Sequence, residues 1–96
     1  MQVREIKRIK DLLRSKGLQL TIVFANVNYA ITLNGNIKVE DKSSGLQIKW
    51  FQAFGNRTLE DVFNNLKIEM VILIAKDKEF TFSTIHEALR YIESYS

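Results

Sequence analysis

The chain has 96 residues, a formal net charge of +3, no cysteine and no proline. That length makes one domain, because two would each be too small to bury a core. The missing thiols remove disulfides, thiolate chemistry and cysteine-ligated zinc, and they favour the cytoplasm over secretion, where small domains more often rely on disulfides.

The first residues carry charge in a helical pattern, without the apolar segment and small-residue cleavage site of a signal peptide. An uncharged stretch from Gly17 to Ile37 is long enough to raise the question of a membrane span. Its Gln19, Thr21, Asn26, Asn28, Thr32, Asn34 and Asn36 argue against one, and its period is two rather than helical. No membrane association is expected.

From Val3 to Lys16 the pattern is that of an amphipathic helix, with Val3, Ile6, Ile9, Leu12 and Leu13 on one side. Arg4, Lys7, Arg8, Asp11 and Arg14 fall opposite, with Lys10 and Lys16 at the margins. Gly17 follows where a left-handed cap is wanted.

The chain from Leu18 to Phe54 reads as a four-stranded antiparallel meander, and hairpin parity sets its loops. A slip of one residue turns every side chain to the other face. A two-residue Asn34-Gly35 turn would set Ile31 against Lys38 and mix the faces. A three-residue Asn34-Gly35-Asn36 loop pairs Leu33 with Ile37 and Ile31 with Val39, and burial of those apolar pairs decides for it. In the flanking hairpins, Phe24 pairs with Tyr29, Ile22 with Ile31, Leu20 with Leu33, Val39 with Ile48 and Ile37 with Trp50.

Thr58 caps a short helix with Leu59, Val62, Phe63 and Leu66 as its stripe. Met70 to Ala75 is a continuous apolar run, read as a strand covered on both faces. After a polar Lys76-Asp77-Lys78 turn, Glu79 to Phe82 forms a short strand. Thr84 and Glu87 then make the capping box of a last helix. The two capped helices share a pattern, which convergence explains better than duplication. The expected fold class is α+β, in the order α-β-β-β-β-α-β-β-α with a mainly antiparallel sheet.

The first two strands carry no charge, so either would be an aggregation-prone edge, whereas Lys38, Glu40, Lys42 and Lys49 mark the last two. The apolar run should therefore cover the free side of strand one. The order expected is fourth, third, second, first, fifth, sixth.

Chemistry is sparse. His86 is the only histidine and has no companion ligands at metal-binding spacing, so it reads as a half-exposed helix residue. Ser43, Ser44 and Ser83 read as turn and cap residues without a nucleophile elbow. Glu60, Asp61, Glu87 and Glu93 are helix charges, and Asp41 opens a turn. Four isolated glycines form no phosphate loop. No catalytic residue, cofactor or metal is indicated.

The expected function is that of a non-enzymatic intracellular regulator that binds a protein partner. The candidate surface is Arg4, Lys7, Arg8 and Arg14 on the first helix, with Lys49 and Phe51 on the leftover sheet face; Phe51 and Ala53 are expected beneath a helix. Nucleic-acid binding by the basic helix face is the alternative, although Asp11 interrupts that face and +3 is a small excess. The edge from Leu46 to Phe54 offers a route to a homodimer. Richness in Ile, Lys, Asn and Phe fits an A/T-rich genome, as of a small phage or mobile element.

Overall fold

β1 (Leu18–Phe24) is an interior strand, paired along its length on both sides, and the rest of the sheet grows outward from it. The computed structural model describes residues 3–95. After α1 (Val3–Lys16) and β1 come β2 (Tyr29–Leu33), β3 (Ile37–Asp41) and β4 (Gln47–Ile48). Then follow α2 (Trp50–Phe54), α3 (Leu59–Asn65), β5 (Ile68–Ala75), β6 (Lys78–Phe82) and α4 (Ile85–Ser94). Together they make one α+β domain with a six-stranded antiparallel sheet in the order β4-β3-β2-β1-β5-β6, as the charge of the edges requires.

The registers follow hairpin parity. Leu20 lies opposite Leu33 and Ile22 opposite Ile31 in the first ladder. Leu33 lies opposite Ile37 and Ile31 opposite Val39 in the second, across the three-residue loop. Val39 meets Ile48 in the third. The first ladder stops at Val23 with Ala30, so Phe24 and Tyr29 do not pair; the strand shifts register against β5 between Val23 and Phe24.

All four helices contribute to one face of the sheet. Ile6, Ile9 and Leu13 of α1, Val62 and Phe63 of α3, and Ile85, Ala88 and Ile92 of α4 are buried with Leu20, Ile22, Phe24, Ile31, Val71 and Leu73. The Val3 side chain, expected on the same side of α1, lies outside what is described. Thr58 caps α3 by accepting from the Asp61 amide at 3.1 Å, and Thr84 caps α4 by accepting from the Glu87 amide at 3.2 Å.

Two expectations need correction. The segment from Leu46 to Phe54 is not one strand: β4 is two residues long, and Trp50–Phe54 is helix α2. The physical reason is an aromatic pair at helical spacing, with Trp50 and Phe54 ring centroids 4.7 Å apart. Phe54 also meets Phe24 at 6.3 Å and Tyr29 at 5.5 Å, so curling the chain inward buries a ring that a strand would have left at the sheet margin. Trp50 therefore does not pair with Ile37 in a ladder.

The second correction concerns β5. Val71, Leu73 and Ala75 are buried, but Met70, Ile72 and Ile74 alternate with them and stay partly exposed. Among the described residues no helix covers that other face, so β5 is buried on one side and partly exposed on the other.

The β5–β6 hairpin turns through Lys76 and Asp77, with Ala75 opposite Lys78. Lys76 has φ of 59°, the left-handed region that costs a side chain roughly 1 kcal/mol or more. Lys76→Gly should therefore stabilise the fold by about 0.5–1 kcal/mol, read as a higher urea midpoint at unchanged slope.

Candidate functional site

The cations of α1 divide by what they already hold. Arg8 forms an ion pair with Glu93 of α4. Arg14 donates from its guanidinium to the Gly35 carbonyl at 2.9 Å. Gly35 is required there, since its φ is 106° and a Cβ would sit 3.1 Å from Arg14 Nε. Lys16 Nζ donates to the carbonyls of Ile92, Glu93 and Tyr95 at 2.6, 3.2 and 3.0 Å, which closes the C-terminal end of α4 with a positive charge. Half of the six cations thus tie α1 to α4 and to the β2–β3 loop.

Arg4 and Lys7 are exposed and make no hydrogen bond or ion pair among the described residues. With Arg8, Asp11, Leu12 and Ser15 they line an open groove of about 550 Å³. Asp11 stands in this groove, so it is not a surface of one sign. The basic stripe expected from the sequence is reduced to two uncommitted cations, with Arg8 and Arg14 held by intramolecular partners.

Lys49 and Phe51 belong to a different part of the molecule. Neither lines the α1 groove, so the structure does not bring the expected surface residues into one patch. Phe51 is 69% exposed on the outer side of α2, and Ala53 is half-buried. The expectation that a helix covers both fails, because the segment is itself the helix and Phe51 points away from the Trp50–Phe54 side. Leu46 is 67% exposed and Ile37 is 38% exposed. Ile37, Val39, Gln47, Ile48, Lys49 and Trp50 line a second open groove, of about 370 Å³.

These groups form a rim where the helix layer ends. β4 is too short to pair further, and the three-residue step from Ile48 to Phe51 sets the aromatic ring outward. Trp50 is anchored by its indole N–H, which donates to the Arg57 carbonyl at 2.8 Å. The Lys49 amide donates to Gln52 Oε1 at 3.1 Å and fixes the start of α2. Leu46, just before β4, is left uncovered. The Trp50, Ala53, Phe54 spacing was the signal for α2.

The remaining polar candidates have structural work. Asp41 Oδ1 accepts from the Asn28 side chain at 2.8 Å and from the Ser43 and Ser44 amides at 2.8 and 3.2 Å. Ser43 Oγ donates to Asn28 Oδ1 at 3.0 Å, so the carboxylate, the amide and the hydroxyl lock one turn. His86 lies exposed on α4. Among the described residues no group of three or more His, Asp or Glu side chains could hold a metal ion, and no helix is long and apolar enough to cross a membrane.

The chain matches no protein-family model, no curated protein and no solved structure.

The Lys16 contacts lead to a stability prediction. Lys16→Met keeps the apolar stem but leaves the α4 carbonyls without their cation, and should lower stability by about 1–2 kcal/mol in denaturant unfolding. Lys7→Met, at an exposed position without partners among the described residues, should change it by less than about 0.5 kcal/mol.

Proposed function

We propose that the protein is a non-enzymatic binding protein whose partner is another protein, held at the rim formed by β4 and α2. The single observation that carries this reading is the exposure of Leu46, Phe51 and Ile37, one before β4, one on α2 and one on β3, at 67%, 69% and 38%. Large apolar side chains are costly to leave in water and mark interaction sites. Phe51 supplies a rigid aromatic anchor, the kind of group that dominates interface energy when a pocket receives it.

Lys49 lines the groove with Ile37 and is exposed. A partner with an apolar pocket and an acidic border fits this arrangement, the charges favouring encounter and register more than affinity. Regulation or inhibition of that partner by occlusion is the simplest consequence. A cytoplasmic setting is consistent with the lack of cysteine.

The alternative, nucleic-acid binding by α1, now rests on Arg4 and Lys7, with Lys10 at the margin of the helix face. Two or three phosphate contacts give a shallow salt dependence and little affinity. The protein reading therefore has the stronger support.

Phe51→Ser combined with Leu46→Ser should lower recovery of the partner in quantitative pull-downs by at least about tenfold, with thermal stability nearly unchanged because both side chains are exposed. Arg4→Glu with Lys7→Glu should leave recovery intact. The reverse pattern, together with a steeply salt-dependent shift of DNA or RNA, would replace this reading with the nucleic-acid one.

A further inference from the structure

The rim is not the only uncovered part of the molecule. The sheet face opposite the helices presents three cross-strand rows, set by the ladders. Lys38, Thr32, Thr21, Ile72 and Thr81 make the middle row. Glu40, Ala30, Val23 and Met70 lie on one side of it, and Gln19, Ile74 and Glu79 on the other.

We infer that this face is the contact surface for a second copy of the chain, packed sheet against sheet about a two-fold axis that runs along β1. The inference is independent of the rim and goes beyond it. It stands on three observations.

The first is the symmetry of the face. β1 is the middle of the five longer strands, with β2 and β3 on one side and β5 and β6 on the other. A two-fold axis along β1 therefore lays β2 over the partner copy's β5, and β3 over its β6. Such aligned packing is the usual geometry of two sheets.

The second is complementarity under that operation. β2 offers small residues, Ala30 and Thr32, while β5 offers a ridge of Met70, Ile72 and Ile74. The operation seats each ridge in the opposing trough. It also carries Lys38 of β3 over Thr81 of β6, one row from Glu79 and twice by symmetry, which puts unlike charges within side-chain reach at both margins.

The third is that the centre can be dehydrated without orphaning a polar group. The Thr21 and Thr32 hydroxyls are hydrogen-bonded to each other at 3.1 Å, and Thr32 is already 3% exposed. Five strands at about 4.8 Å spacing and about 20 Å length cover on the order of 500 Å² per copy, so the pair reaches the roughly 1,000 Å² that a specific interface needs.

Sedimentation equilibrium on the full chain, extended to about millimolar concentration, tests the inference. The expected result is a monomer–dimer equilibrium that Ile72→Glu weakens at least about tenfold, with the circular-dichroism spectrum unchanged. Lys38→Glu and Glu79→Lys should each weaken the dimer, and their combination should restore it. This arm remains decisive if Ile72→Glu fails to fold, since both charged side chains are exposed. Phe51→Ser should leave the dimer intact, which separates this surface from the rim. A chain that stays monomeric throughout would overturn the inference and leave the face to a different protein. A dimer indifferent to Ile72→Glu and to the charge exchange, or one lost in Phe51→Ser, would overturn it equally.

Discussion

The structure depends on the strict alternation of side chains along β1. Leu18, Leu20, Ile22 and Phe24 are buried, and Gln19, Thr21 and Val23 between them are half-buried on the other face. Because β1 is paired on both sides, its alternation is imposed on β2 and β5 through the ladders, and from them on β3 and β6. A register error at any hairpin would place apolar groups in water along a whole strand. One face of the sheet thus collects the helices and the other is left without them.

The helix layer is held by more than apolar contact. α1 packs Ile6, Ile9 and Leu13 inward, then uses Arg8, Arg14 and Lys16 to grip α4 and the β2–β3 loop. Lys16 supplies donors to three carbonyls at the end of α4, one of which, that of Ile92, also accepts from the Tyr95 amide. The same contacts account for half of the charge that made the helix look like a nucleic-acid surface. Charge count and charge availability are different quantities, and only the second bears on binding.

Much of the architecture was legible in the residues. The three-residue Asn34-Gly35-Asn36 loop follows from keeping Leu33, Ile37, Ile31 and Val39 on one face, even though Asn-Gly is a favoured two-residue turn. The strand order follows from where charges are tolerated at an edge. Less was legible after Ile48. Trp50 and Phe54 satisfy both a strand alternation and an i, i+4 helical pair, and the choice went to the conformation that brings Phe54 against Phe24 and Tyr29. The apolar run from Met70 to Ala75 likewise satisfied a two-sided strand, because composition does not say whether Met70, Ile72 and Ile74 meet a second layer. Of the expected surface residues, Arg4 and Lys7 are exposed without partners among the described residues, and Phe51 is exposed for a reason the strand reading did not contain.

By itself, then, the sequence determined what local periodicity and steric preference control: the helices with Thr58 and Thr84 caps, the hairpin parity, the uncharged central strands and the charged margins. Those features involve neighbours a few residues apart or a fixed alternation, so they are written into the residues directly. Only the tertiary structure decided which side chains are spent on internal contacts and which face solvent. Lys16 reaches across 76 residues of chain to Ile92, Leu46 and Phe51 at the β4–α2 rim are left exposed, and one sheet face carries no helix among the described residues. Each of these is a relation between distant segments, and a linear pattern carries no term for it.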